Sequence, residues 1–152
     1  MEYLVGVVLA LVVCGAAWWL GMDRERVFYP TMLMAVASYY VAFATVDGSV
    51  RILLTESLIC AAFVAVAVIG FKGRLWWVAA AMAAHGAMDL VHHLFVDNTG
   101  VPEVWPGFCM SYDITAAACI GALLALRHRD ERWSAGGVVK APWRPARLLW
   151  KR

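Results

Sequence analysis

The chain has 152 residues, of which 63% are hydrophobic and only 16% are charged, and its formal net charge is +2. A soluble domain of this length would carry roughly a quarter charged residues, so the composition argues against a soluble protein and favours one that is integral to a membrane. The small net charge also argues against a nucleic-acid partner, which would require a basic patch on a recognisable binding fold.

Five apolar segments follow one another along the chain. A helix needs roughly 20 apolar residues to cross the hydrocarbon core, and within lipid only a helix satisfies its own backbone polar groups without closing a barrel. The segments are Tyr3 to Met22, Val27 to Val46, Ile52 to Phe71, Leu75 to Val96 and Cys109 to Leu126. We therefore predict an all-α integral membrane protein, with a bundle of five transmembrane helices over residues 1–126 and a basic cytoplasmic tail over residues 127–152.

The basic residues predict which way the bundle is inserted. The first loop carries Arg24 and Arg26, the third carries Lys72 and Arg74, and the tail adds eight more, whereas the loops on the other side hold only Arg51. Arg and Lys accumulate in cytoplasmic loops. We therefore expect the N-terminus outside and the C-terminus in the cytoplasm. The first segment begins Met1-Glu2-Tyr3 without a basic region, so we interpret it as a spanning helix rather than a signal peptide.

Six ionisable side chains interrupt the last three apolar segments. At about 1.5 Å per residue, five of them are expected within about 5–10 Å of the outer surface, with His85 deeper at about 16 Å. The stretch "HGAMDLVHHLF" also places its own polar residues on one helical face. Ionisable residues inside a membrane are costly and usually functional. The six are Glu56, His85, Asp89, His92, His93 and Asp113.

Imidazole and carboxylate groups in this pattern are typical ligands of transition metals. We predict His85, Asp89, His92 and His93 as ligands of a divalent metal, zinc first and then iron or copper. Glu56 or Asp113 would then act as the general base toward a water molecule that the metal activates.

From the location of this site we predict an intramembrane metal-dependent enzyme, such as a hydrolase of a lipid or isoprenoid. Its partners would be membrane lipids, a lipophilic small molecule and, as a homo-oligomer, further copies of the chain.

Other features near these residues admit two interpretations each. Cys60 and Cys109 each lie one turn from an acid and are either soft ligands or apolar fillers. Ser38, Tyr39 and Tyr40, midway along the second segment, either donate hydrogen bonds to the site or only pack. The loop from Asp97 to Phe108 is either a lid or an interfacial loop anchored by Trp105.

Two other functions fit the same residues. Chains of Asp, Glu and His carry protons or ions in transporters, so the cluster could belong to an ion, proton or metal transport protein. The network could also be purely structural. Glu56 and Asp113 lie near predicted helix N-termini, where the helix dipole favours a negative charge, and His92 lies near a C-terminus, where a positive charge is favoured.

The order of these residues resembles a family of small bacterial multi-pass membrane proteins classed as a domain of unknown function. The resemblance covers roughly Gly48 to Leu126 and rests on Glu56, the pattern H-x3-D-x2-H-H from His85, and the run Cys109 to Asp113. The loop over residues 97–108 departs from the family's pattern. The resemblance implies that the six residues belong together and that the protein lies in the bacterial cytoplasmic (inner) membrane. It implies no activity.

Overall fold

The computed structural model describes the backbone of residues 1–136 and the side chains of residues 1–129. Within these residues the fold is entirely helical, which confirms the predicted all-α class. Short 3-10 turns follow the first and fourth helices, at Met22–Arg24 and His92–Leu94. The five helices are α1 (Glu2–Leu20), α2 (Phe28–Asp47), α3 (Val50–Lys72), α4 (Trp76–Val91) and α5 (Trp105–Gly136).

Four helices are long and apolar enough to cross a membrane: α1, α2, α3 and the part of α5 from Trp105 to Arg129. The surface of the bundle is correspondingly apolar, since Val46 is 75% exposed and Leu58 is 73% exposed. Soluble monomers rarely expose large contiguous apolar surface. Helix α4 has only 16 residues, or about 24 Å of helix. It continues directly into the turn His92–Leu94, and the two together reach the roughly 30 Å of a hydrocarbon core.

The helices alternate in direction, so the chain has two distinct ends. Gly107 lies against Tyr3 at one end, and Arg127 pairs with Asp23 at the other, which makes α1 and α5 parallel. We call the first the loop end; it also holds the α2–α3 turn and the loop before α5. We call the second the basic end. The described basic side chains at the basic end are Arg24, Arg26, Lys72, Arg74, Arg127 and Arg129, against Arg51 at the loop end.

Three helix boundaries differ from the predicted segments by four residues or more. Helix α5 begins at Trp105 rather than Cys109, because Pro106 falls in the first turn, where its missing N–H group has no intrahelical partner to lose. It also continues past Leu126 to Gly136, into the predicted tail, through residues that favour helix. The rest of that tail lies outside the described residues. The α-helical part of α4 ends at Val91, five residues before the predicted Val96.

Small side chains allow α1 to pack closely against α5. The buried residues of α1 are Gly6, Ala10, Cys14 and Ala17, which recur along one face. A Cβ atom at Gly6 would collide with the Ser111 side chain and the Phe108 carbonyl oxygen. In a membrane, where apolar side chains gain little by leaving lipid, such close backbone contact is a main source of helix association.

We expect Gly6→Ala to destabilise the bundle by about 1–3 kcal/mol, the usual cost of overpacking a filled interface. Gly15 on the same helix is the matched control, since a Cβ there meets nothing within 4 Å. Gly15→Ala should be neutral or stabilising by about 0.5–1 kcal/mol through helix propensity. Thermal unfolding in detergent micelles measures both, and equal effects of the two changes would contradict the α1–α5 packing described here.

Candidate functional site

Four polar side chains from α4 and α5 meet inside the bundle. His85 and Asp89 lie one turn apart on α4, and Cys109 and Asp113 lie one turn apart on α5, so two i,i+4 pairs face each other. One ligand atom from each of the four lies within 4.8 Å of the others, and no side chain among them is more than 2% exposed. We call these residues the four-residue cluster.

The backbones of the two helices come close together beside the cluster. A Cβ atom at Gly86 would lie 3.0 Å from Asp113 Cβ and 3.1 Å from the Met110 carbonyl oxygen. Glycine is therefore the residue that lets α4 and α5 approach at this level. Gly86 directly follows His85 in α4, so the close helix contact lies at the level of the His85 side chain.

The cluster is only partly hydrogen-bonded. His85 Nδ1 lies 2.7 Å from Asp113 Oδ2 and 3.7 Å from Asp89 Oδ2, and the Phe63 ring packs edge-on against the imidazole with ring centroids 4.8 Å apart. Within the described residues, both oxygens of Asp89 and Oδ1 of Asp113 lack a partner with hydrogen-bond geometry. The Tyr40 hydroxyl and the Cys109 thiol lie beside Asp89 and interact with its carboxylate, although neither meets full hydrogen-bond geometry. A buried carboxylate is costly unless it is protonated, paired with a protonated histidine or bound to a metal cation.

A second polar group lies beside the cluster, toward the loop end. Glu56 Oε1 accepts hydrogen bonds from His92 Nε2 and Asn98 Nδ2, both at 2.9 Å. Asn98 Nδ2 also lies 3.3 Å from the Tyr40 carbonyl oxygen. We call Glu56, His92 and Asn98 the Glu56 group. Tyr40 links it to the cluster, because its ring centroid lies 4.1 Å from that of His92 and 6.2 Å from that of His85.

Two recesses lead to these residues from different surroundings. A cavity of about 440 Å³ opens at the loop end, and its lining includes Asp89, His92, Asn98 and Glu103. An apolar groove of about 300 Å³ runs between α3 and α4 and is lined chiefly by alanines with Phe63. Since Phe63 also contacts His85, that ring separates the groove from the cluster. The site therefore has a polar approach from the loop end, whereas the apolar groove on the side of the bundle ends at the Phe63 ring.

The structure separates the six predicted site residues into three sets. His85, Asp89 and Asp113 belong to the four-residue cluster, and Glu56 and His92 belong to the Glu56 group. His93 joins neither, because its side chain is exposed. The reason is local: α-helical geometry ends at Val91, and the 3-10 turn that follows directs His92 inward and His93 outward. The ligand roles given to His92 and His93 remain predictions.

The depth of Asp113 also differs from the expected single layer. Because α5 begins at Trp105, Asp113 is about 12 Å along the helix rather than about 6 Å. That places it at the level of His85, the residue expected to lie alone and deeper. The pairing of these two side chains follows from where the helix begins, which the apolar pattern alone did not fix.

Two members of the site were not assigned from the sequence. The sequence is compatible with Cys109 as either a soft ligand or a filler, and only the packing of α4 on α5 places its sulfur within the cluster. Asn98 carries no ligand or catalytic pattern in the sequence. Its Oδ1 accepts a hydrogen bond from the Gly100 N–H at 3.2 Å, an Asx-type turn that the sequence D-N-T-G could have indicated.

The loop before α5 is fixed to α2. The Thr99 hydroxyl donates to Asp47 Oδ2 at 2.6 Å, and the Trp105 ring packs against Tyr39 and Phe43 with centroids 5.0 and 4.9 Å apart. Asn98 is thereby held over Glu56 by contacts on both sides.

We expect Asn98→Ala to lower the free energy of unfolding by about 1–3 kcal/mol, since it removes a donor from the buried Glu56 carboxylate and leaves that oxygen less satisfied. The neighbouring exposed residue provides the control, and Asp97→Ala should change stability little. Thermal unfolding in micelles and amide hydrogen exchange of the loop report the difference. Unchanged exchange at Thr99 and Gly100 in Asn98→Ala would show that Asn98 does not anchor the loop.

Comparisons of this chain with protein-family models, with curated proteins and with solved structures find no match. The resemblance to a bacterial membrane family stays a prediction. The geometry of the cluster, its buried carboxylates and the loop-end cavity that reaches Asp89 are the features from which a function can be proposed.

Proposed function

We propose that this chain is an integral membrane protein that holds a divalent transition metal ion in the four-residue cluster and hydrolyses a lipophilic substrate there. One observation carries the proposal: four buried groups, each able to offer a ligand atom to a metal ion, lie within 4.8 Å of one another. A charged group at the centre of a membrane helix costs about 2.5–3.5 kcal/mol on insertion scales. A divalent cation would offset that cost.

The donor set and its spacing fit zinc best. Imidazole, thiolate and carboxylate are the ligands zinc takes in proteins, and its bonds of about 2.0–2.3 Å put the ligand atoms of a tetrahedral ion roughly 3.3–3.8 Å apart. The separation of His85 Nδ1 from Asp89 Oδ2, 3.7 Å, already agrees. The 2.7 Å contact between His85 and Asp113 is a hydrogen bond and would have to lengthen. Iron and copper accept the same ligands.

A hydrolytic site keeps one metal position open to water. We assign His85, Asp89 and Cys109 as ligands and Asp113 as the general base. A bound ion would polarise water and lower its pKa. Asp113 Oδ1, which is buried and without a partner in the described residues, would accept the proton of the attacking water. Water that has lost this proton would add to an acyl or phosphoryl centre, the bond to the alcohol would break, and Asp113 would return the proton to the departing alkoxide.

The two recesses support a lipophilic substrate. The groove between α3 and α4 is almost wholly apolar and opens on the side of the bundle, where lipid chains would lie. The cavity at the loop end is polar and reaches Asp89. A molecule with an apolar chain and a polar head would place its chain in the groove and its head near the cluster, while water enters from the loop end.

Transport across the bundle is less well supported. Between the cluster and the basic end, the core is filled by apolar side chains that are fully buried, namely Leu33, Val78, Met82 and Ile120. An ion or proton that entered from the loop end would meet this layer. The alternative is a polar network that binds no metal and only stabilises the bundle. The following experiments distinguish it from the proposed metal site.

Purified without a His tag, the wild-type chain should carry about one metal ion, measured by inductively coupled plasma mass spectrometry. Asp89→Asn and His85→Gln should each lower metal affinity at least tenfold, since each removes one of the three proposed protein ligands. His93→Gln is the matched control because that histidine is exposed, and it should retain the metal. A metal-free wild-type chain that folds normally, or equal loss in His93→Gln, would contradict the metal site.

Turnover separates an enzyme from a metal store. With metal bound, we expect the wild type to hydrolyse a long-chain ester in mixed micelles, and Asp113→Asn to keep its metal while kcat falls by roughly 10²–10⁴, the usual contribution of a positioned general base. Asn is nearly isosteric with Asp but cannot accept the proton. Stoichiometric metal without hydrolysis of acyl or phosphoryl esters would count against the enzyme and leave a metal-binding protein.

A further inference from the structure

A third recess lies at the basic end, remote from the four-residue cluster. Its volume is about 530 Å³, which is larger than either of the two recesses beside the candidate site. Side chains from three separate stretches of the chain converge on it, and three of them are arginines. The lining residues are Arg26, Gly73, Arg74, Leu75, Trp76, Leu124, Arg127 and His128.

Two of the arginines are held in place by hydrogen bonds to protein oxygens. Arg26 Nη2 donates to the carbonyl oxygens of Phe71 at 3.0 Å and Gly73 at 2.6 Å. Arg127 Nη2 donates to Asp23, at 2.6 Å to Oδ2 and 3.0 Å to the carbonyl oxygen. Each of these contacts uses one nitrogen of a guanidinium that carries five N–H donors. Both groups therefore keep further donors beside the recess.

Among the described side chains, positive charge exceeds negative charge in the recess. The side chain of Arg74 makes no hydrogen bond or ion pair with a described residue, and Asp23 is the acid paired with Arg127. Helix α4 also begins here, at Trp76, and the N-terminal end of a helix favours an anion. Like charges held together in this way attract an anion.

We propose that this recess binds a phosphate group, supplied by the headgroup of an anionic phospholipid. Guanidinium groups recognise phosphate through paired, charge-assisted hydrogen bonds. Leu75, Leu124 and Trp76 line the same recess, so an apolar surface adjoins the charged one, as a lipid requires. Basic pockets at the cytoplasmic side of membrane helices bind such headgroups, and the excess of Arg and Lys at this end predicts that side.

The inference does not depend on a metal or on hydrolysis, because it uses none of the residues of the cluster. Free inorganic phosphate offers the same oxygens without the apolar chains. The apolar part of the lining favours the lipid, and the two sources can be separated by experiment.

The test measures thermal unfolding of the full chain in detergent micelles that contain phosphatidylglycerol, phosphatidylcholine or inorganic phosphate at equal ionic strength. Phosphatidylglycerol should raise the unfolding temperature well above the value in phosphatidylcholine, by mass action on the folded state. Arg74→Gln should weaken the apparent affinity for phosphatidylglycerol about tenfold, the effect of losing one charge-assisted contact. Arg24→Gln is the control, since Arg24 shares the basic end but does not line the recess.

Equal stabilisation by the two lipids, or an equal response of Arg74→Gln and the wild type, would overturn the proposal. A full response to inorganic phosphate alone would overturn the lipid assignment. If Arg74→Gln does not fold, native mass spectrometry of the wild type decides. One phosphatidylglycerol retained per chain against excess phosphatidylcholine supports the site, and no such preference overturns it.

Discussion

The contact between α4 and α5 at Gly86 is the constraint on which the polar interior depends. A side chain there would push the helices apart at the level of Asp113. With the helices in contact, the one-turn repeat on each of them sets two acids, a histidine and a cysteine into a single compact arrangement. Helix α1 packs closely on another face of the same stretch of α5, and this contact is also made through small residues.

The two polar groups of the interior differ in how well they are satisfied. Glu56 uses one oxygen to accept from both His92 and Asn98, and these bonds join α3, the end of α4 and the loop. The other Glu56 oxygen, Oε2, is buried and has no partner in hydrogen-bond geometry among the described residues. In the four-residue cluster the same is true of both oxygens of Asp89 and of Asp113 Oδ1. The larger number of unpartnered carboxylate oxygens is the reason for proposing a cation in the cluster rather than at Glu56.

The sequence predicted the helical class and the face of α4 correctly, because both follow from helical periodicity and from the cost of polar groups in lipid. His85, Asp89 and His92 are all buried as that face requires. The pairing of the groups depended on helix boundaries, which apolar runs define poorly. The start of α5 at Trp105 set the level of Asp113, and the 3-10 turn after Val91 turned His93 outward. Cys109 and Asn98 belong to the site only because segments that are distant in the sequence pack together, and a local sequence pattern cannot predict that packing.

The apolar layer formed by Leu33, Val78, Met82 and Ile120 gives the two ends of the bundle separate chemistry. The four-residue cluster and Glu56 lie on the loop-end side of this layer, and Arg26, Arg74 and Arg127 lie at the opposite end together with Asp23. Nine residues of α4 separate Trp76 from His85, or about 13 Å of helix, and that distance is filled by side chains that exclude water. A cation attracted to the cluster must therefore arrive through the loop-end cavity, and an anion bound among the arginines must arrive at the basic end. On the topology that the basic residues predict, the metal would come from outside the cell and the phosphate from the inner leaflet.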